Sequence, residues 1–374
     1  MRVAHVGNYR PESADGVKSV RAALARHLPE AGVDVEMWHL DAEAKTIIER
    51  TLEGVSVVDL PAGPTSFHTL FALPKATVAW LRQRSRDIDL VHMHSAFAPI
   101  NLAVARHVNL YVVSPHNGYH QRVLAGRKRA FKRAWLATLE LPYLRRASLV
   151  HVATEAEAAD VRALTRTSRI AVIPNGIAES YLQRSVPSPS AGRHWAFLGR
   201  LDTQAKGLDL LLRAYAVVAN EQDVPDLVLA GPDFRGDRAE LERLAKALRV
   251  EGRVRFVGSL AGEDKVTHLT TARAVLQPSR WEGMSLALLE ALALGRPVLV
   301  TPGTNLAAEV ANAGAGVAVE GSVEGVAAGL RSLLEVSPTD LDDMGARARR
   351  WAGGCFAWPV VARRMAEVYR SVAA

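Results

Sequence analysis

Short aliphatic runs alternate with longer stretches of helical period along almost the whole chain, the pattern of parallel sheets wrapped by helices. In the first half, strands are predicted at residues 2–6, 34–40, 90–94, 110–114 and 149–153. Val17, Val20, Leu24 and Leu28 mark one helical face by their 3,4,4 spacing, and a long helical stretch between His120 and Arg146 separates the last two strands. The segment RSVPSPSAGR, 184–193, concentrates Ser, Pro and Gly as a linker does. A second series then predicts strands at 195–198, 226–230, 254–257, 274–277 and 297–301, and the final segment, 356–372, is helical with Val360, Met365 and Val368 on one side. The expectation is a chain of two doubly wound Rossmann-like domains: 1–183, a linker at 184–193, 194–355, and a last helix at 356–374 returning to the first domain. Open α/β sheets bind ligands outside the carboxyl ends of their strands, so a central cleft faced by both domains is the expected site.

Composition narrows the class. At 374 residues the chain exceeds what one core usually serves, and 49% apolar with 23% charged residues is ordinary for a soluble globular protein. The start, MRVAHVG, reads as a buried strand and not as a leader, and the richest apolar stretch, 283–295, is interrupted by Glu290, so no membrane span is expected. Cys355 is the single cysteine, which leaves no internal disulfide or multi-cysteine metal site and suits a reducing cytoplasm. Net charge is +7, and the whole excess lies in the first half: residues 1–185 hold 24 Lys and Arg against 17 Asp and Glu, leaving 22 against 22. Its densest cluster sets Arg127, Lys128, Arg129, Lys132 and Arg133 beside Phe131 and Trp135. Such a cluster reads first as a solvated helix face and next as an electrostatic dock for anionic lipid or substrate on the inner face of a membrane. Nucleic acid is not expected, because no recognition motif accompanies the charge.

The segment WEGMSLALLEALALGRPVLV, 281–300, carries the most chemistry. A strand ends in PSRWEG, a helix starts near Ser285, and Gly295 stops it, which places Glu282 in the loop and Glu290 in the helix. The backbone N–H groups of Gly283, Met284, Ser285 and Leu286 stand at a helix start, an anion site by geometry and dipole into which a diphosphate would fit.

Glu282 and Glu290, within E-G-x-x-L-x-L-L-E-A and followed by G-x-P-V, resemble the signature of the retaining GT-B glycosyltransferases of family 4. The resemblance extends to Gly199, Arg200, Lys206 and Gly207 in FLGRLDTQAKGLDLLLRAY, and to IPNGI (173–177), LAGP (229–232), FVGSL (256–260) and PSRWEG (278–283), in the family's order over nearly the whole chain. It implies a GT-B fold and gives Glu290 the ribose hydroxyls and Glu282 hydroxyls of the transferred sugar, roles that suit acceptor-only carboxylates. Arg200 and Lys206, at the ligand end of their strand, would offset the charge of a leaving nucleoside diphosphate. By the same resemblance the loop GNYRPESADGVKS brings Gly16 to the donor phosphates; the family often has a Gly-Gly pair where this chain has Asp15-Gly16. His116, in SPHNGYH, takes the family's histidine position facing the sugar, where its imidazole would donate to a hydroxyl or carry a proton.

No metal is expected. His92 and His94 in VHMHS suggest ligands, but two histidines on one strand lack a third of known placement. Asp87-Ile88-Asp89 imitates a metal-binding D-x-D yet precedes its strand, away from the ligand end, and Asp340-Leu341-Asp342 precedes a C-terminal helix, where a cap is the ordinary explanation. A dehydrogenase would need G-x-G-x-x-G after Val6, where the chain has GNYRPESADG. The expected activity is metal-independent, cofactor-free, anomer-retaining transfer of a hexose from a UDP- or GDP-linked donor. A lipid-linked or polysaccharide intermediate is the first acceptor; a soluble small molecule such as a secondary metabolite or aminocyclitol is the alternative. A nucleotide-sugar epimerase or a phosphorylase of the same build is the nearest rival, and a basic membrane or nucleic-acid adaptor the non-enzymatic one.

Overall fold

The structure is a computed structural model that describes residues 1–9, 16–63, 72–125, 129–165 and 169–374. Asp15, with the rest of its loop after Tyr9, lies outside the described residues, as do Arg127 and Lys128. The chain divides into two compact units, residues 1–176 with 358–374, and residues 177–357. Each is a Rossmann-like α/β unit built on a mainly parallel sheet.

Among the described residues the first unit has an eight-stranded sheet. Its strands are β1 (Arg2–Val6), β2 (Asp34–Asp41), β3 (Ile48–Leu52), β4 (Val55–Pro61), β5 (Leu90–His94), β6 (Tyr111–Ser114), β7 (Leu149–Val152) and β8 (Ile170–Val172), in the order β3-β4-β2-β1-β5-β6-β7-β8. All pair in parallel except β3 with β4, a hairpin turned by Glu53 and Gly54 at φ 51° and 79°. The sequence pattern does not reveal that hairpin: β3 is almost wholly exposed, and Glu is an unusual residue for the first left-handed position of such a turn. Ala4, Val6, Val91, Met93, Val113, Val150 and Val152 face one apolar core. Their alternates on the opposite face include five buried polar residues, His5, His92, His94, Ser114 and His151.

That polar face meets the last helix, Trp358–Ala373, which belongs to the first unit. Of the expected face Met365 is buried, whereas Val360 and Val368 are half-buried and their neighbours Val361 and Tyr369 are buried instead, with Val372. The helix predicted over 356–372 begins two residues later. Helix Pro338–Phe356 ends at Ala357, whose ψ of 135° leaves the helical region, and the face is set anew from Trp358.

The second unit's sheet is parallel throughout: β9 (His194–Leu198), β10 (Asp226–Ala230), β11 (Val254–Gly258), β12 (Ala272–Gln277), β13 (Val298–Val300) and β14 (Gly316–Ala318), ordered β11-β10-β9-β12-β13-β14. Trp195, Phe197, Leu227, Leu229 and Leu276 pack against Leu211, Leu212 and Tyr215 of helix Leu208–Ala219. Strand order reverses between β9 and β12, the switch point where doubly wound sheets bind ligands. There the loop after β9 and the loop after β12 lie side by side, tied by Arg280 N–H donating to Ala205 O at 2.8 Å. Residues 184–193, read as a linker, are pinned within this unit. Pro189 is buried, Ser190 donates through N–H and hydroxyl to Asp342 at 2.9 and 2.8 Å, and Arg296 donates to Pro187 O. The chain passes between units at 176/177 and 357/358 instead.

Candidate functional site

In the second unit, two sequence-predicted residues, Lys206 and Glu282, meet at the switch point. Glycine is required at two places there. A Cβ on Gly207, at φ +65°, would stand 2.2 Å from Pro278 O, and one on Gly231, at φ +148°, 1.8 Å from Gly199 O. The turns they permit bring Lys206 Nζ to 2.6 Å from Glu282 Oε1, with only 12% and 9% of the side chains exposed. Ser279 hydroxyl donates to the same carboxylate oxygen at 2.7 Å, and Asn305 Nδ2 donates to the carbonyls of Glu282 and Gly283 at 2.6 and 3.1 Å. Glu282 is therefore fixed at side chain and backbone.

Gly283 and Met284 lead into Ser285, which caps helix Leu286–Ala293 by accepting from Leu288 N–H at 3.4 Å. Within that helix Glu290 accepts from Lys265 Nζ at 2.6 Å and from Tyr181 hydroxyl at 3.2 Å. Burial disfavours the Lys265 ammonium, yet Glu290 and Tyr181 outweigh it and hold its pKa above the ordinary lysine value. Arg200 stands apart, 55% exposed, 3.9 Å from Asp202 and 4.7 Å over the Phe234 ring. Lys265, Tyr181 and Asn305 escape the sequence reading, because each belongs to a separate element and no local motif links it to a glutamate; Ser279 lies in PSRWEG beside Glu282.

In the first unit, His116 follows β6 in a loop where His116 and Asn117 both adopt left-handed φ, 50° and 62°. A non-glycine pair in that region persists only when its surroundings over-determine it. Glu157 does this: its buried carboxylate accepts from Asn117 N–H and from Ala153 N–H. Burial pushes the Glu157 carboxyl pKa up, against the pull of those two donors. His116 Nε2 lies 3.0 Å from His94 Nδ1. Gly16 opens helix Gly16–His27 and is exposed.

His92 and His94 do have a third neighbour. His5, on β1, brings a ring nitrogen so that all three lie within 4.8 Å of one another, close enough to share a metal ion. The parallel register sets His5 beside His92, a proximity across strands that the sequence alone does not show. Of the acidic triplets, Asp89 accepts from Arg2 N–H at 2.8 Å at the start of the sheet, and Asp340 N–H donates to the cap Ser337.

Two family models match the chain: Glycosyltransferase Family 4 over residues 14–181 and Glycosyl transferases group 1 over residues 183–351. This chain belongs to glycosyltransferase family 4. It is 29% identical to D-inositol 3-phosphate glycosyltransferase of Corynebacterium urealyticum, covering 86% of this chain and 82% of that one. It is 26% identical to MMP alpha-(1->4)-mannosyltransferase of Mycolicibacterium hassiacum, covering 100% and 99%. Among solved structures it resembles Anabaena HepE in complex with UDP-glucose, with a TM-score of 0.73 and 21% identity over 99% of this chain and 100% of that one. The fold of this family 4 glycosyltransferase is GT-B. Among the described residues no helix is long and apolar enough to cross a membrane.

Proposed function

We propose that the enzyme transfers a hexose from a UDP- or GDP-linked donor with retention of anomeric configuration and without a metal ion. The observation that carries this reading is the pair of lysine–carboxylate contacts flanking one helix start: Lys206 with Glu282 before Ser285, and Lys265 with Glu290 after it. Between them the helix N-terminus suits a diphosphate. Glu290 would take the ribose hydroxyls and Glu282 the sugar. Lys206 and Arg200 would bind the leaving diphosphate, Lys206 giving up part of its contact with Glu282 as the phosphates arrive. His116 and Gly16 serve the sugar and the phosphates from the first unit's sequence motifs. No residue is needed as nucleophile, since the leaving diphosphate helps deprotonate the acceptor on the same face of the sugar.

Glu290→Gln removes a charge-assisted hydrogen bond and should weaken binding of donor and free nucleoside diphosphate alike by about 1.5–3 kcal/mol. Unchanged nucleotide affinity by calorimetry would remove Glu290 from the ribose. The linkage is read by NMR of the glycoside and the metal question by rate in EDTA. An inverted product, or activity lost to the chelator and restored by magnesium or manganese, overturns the mechanism.

A lipid-linked glycan is the first acceptor proposed, supported by helix Arg129–Trp135, where Arg129, Arg133 and the 47%-exposed Phe131 are each exposed. A soluble acceptor is the second, favoured by the relative named for D-inositol 3-phosphate. Product formation with each class separates them.

A further inference from the structure

One feature of the first unit has no place in the reaction as proposed. From His116 inward, side chains form a continuous chain of hydrogen bonds across the polar face of the sheet. His116 Nε2 meets His94 Nδ1 at 3.0 Å, His94 Nε2 meets His5 Nδ1 at 3.1 Å, and His5 Nε2 meets Tyr369 OH at 3.2 Å. Tyr369 OH then meets His92 Nδ1 at 2.6 Å, His92 Nε2 meets Ser114 Oγ at 2.6 Å, and Ser114 Oγ meets His151 Nδ1 at 2.6 Å. The last link runs from His151 Nε2 to the backbone carbonyl of Ile173 at 2.9 Å.

The far end sets the direction of every link. A carbonyl only accepts, so His151 bears its proton on Nε2, and in a neutral ring its Nδ1 must accept. Ser114 therefore donates to His151 and has its oxygen left to accept from His92 Nε2–H. His92 Nδ1 then accepts from the Tyr369 hydroxyl, whose oxygen accepts from His5 Nε2–H. His5 Nδ1 accepts from His94 Nε2–H, and His94 Nδ1 from His116 Nε2–H. All five rings carry the Nε2–H tautomer, in one consistent polarity. The four inner rings are neutral because they are buried: His5, His92, His94 and His151 are at most 4% exposed, and burial first, with neighbouring positive charge next, lowers the pKa of His5 to about 3, while burial lowers that of His151 to about 4.

We propose that this array is a positioning device that fixes the proton of His116 on Nε2, so that the ring in its neutral form meets a ligand hydroxyl through Nδ1 as a hydrogen-bond acceptor. Tyr369, Ser114 and His151 are its positioning residues, and His116 alone would touch the ligand. The step from tautomer to ligand rests on the proposed sugar role of His116; the tautomer itself does not. A metal ion shared by His5, His92 and His94 is the competing use of these rings. It would need lone pairs that the array already fills.

The test reads tautomers in the resting protein, without donor or acceptor, by long-range ¹H–¹⁵N correlation of labelled histidine. The wild type should show His5, His92, His94, His116 and His151 as the Nε2–H form. Tyr369→Phe cuts the chain at its middle: His5, His94 and His116 should lose the single tautomer and populate both, while His92 and His151, still anchored to the Ile173 carbonyl, keep theirs. Ser114→Ala should release His92 as well. General loss of packing would disturb all five rings together, so the split pattern separates positioning from stability. An Nδ1–H form at His116 in the wild type, or a His116 tautomer indifferent to both substitutions, overturns the proposal, as does one equivalent of zinc retained through dialysis against a chelator. If the tautomers hold but His116→Ala leaves kcat unchanged, the sugar role fails and the array stands.

Discussion

Glu282 and Glu290 share a segment but not an environment, and the difference predicts different kinetics. Glu282 is clamped by Lys206, Ser279 and, through its carbonyl, Asn305. Glu290 faces Lys265 and Tyr181 on the helix beyond the cap. A carboxylate so constrained in advance of the ligand suits contacts that matter most in the transition state. Replacing Glu282 or His116 by alanine is expected to lower kcat about ten- to a hundredfold while nucleoside diphosphate affinity stays near wild type. Steady-state rates beside calorimetry check this, and a fall in nucleotide affinity with kcat preserved would move the residue to the nucleotide. The loop position of Glu282 and the helical position of Glu290 were legible from Ser285 as a cap and Gly295 as a stop, both local signals. Lys206 was legible as a site cation, but its pairing with Glu282, like Lys265 itself, was not, because a partner 76 residues away is chosen by strand order and not by neighbouring sequence.

At the scale of elements, the first sheet departs from the rule that a parallel sheet is apolar on both faces. Strands β1, β5, β6 and β7 carry His5, His92, His94, Ser114 and His151 on one side. Burial pushes the pKa of His5 and His151 down to about 3 and about 4, and those of His92 and His94 well below the ordinary 6.5. Below 6.5 the unfolded chain therefore binds protons that the folded sheet refuses, so stability is complete above that pH and falls as pH drops from 6.5 toward 4. Each ring adds about 1.4 kcal/mol per pH unit at most within the window. The urea midpoint should accordingly be clearly lower at about pH 5 than at about pH 7.5; an unchanged midpoint would mean that these rings are not buried neutral. The alternation VHMHS was visible in the sequence, but two histidines on one strand suggest a metal as readily as a ladder. Only β1, laid beside β5 by the sheet's order, decides what they meet.

For the molecule as a whole, the excess of positive charge in the first half is a statement about partners and not about fold. If the face bearing Arg129, Lys132 and Arg133 docks on lipid, vesicle binding should require anionic headgroups and weaken with salt, by about 1 kcal/mol per basic residue near the surface. Equal binding to neutral vesicles, or none to either kind, would leave the cluster a solvated helix face. The alternation of strands and helices that makes the two Rossmann-like halves, apart from β3, β4, β8 and β14, and the loop that presents Glu282 were determined by the sequence itself, since hydrophobic period, caps and glycine stops act over a few residues. The tertiary structure alone decided where the chain crosses between units, that the Pro-rich stretch is strapped down by Asp342 and Arg296, and which helix face Tyr369 occupies. It also joined Tyr369 to His5 across 364 residues. Such contacts depend on how strands are ordered and helices laid over them, a cooperative choice of the whole chain that no short window of residues contains.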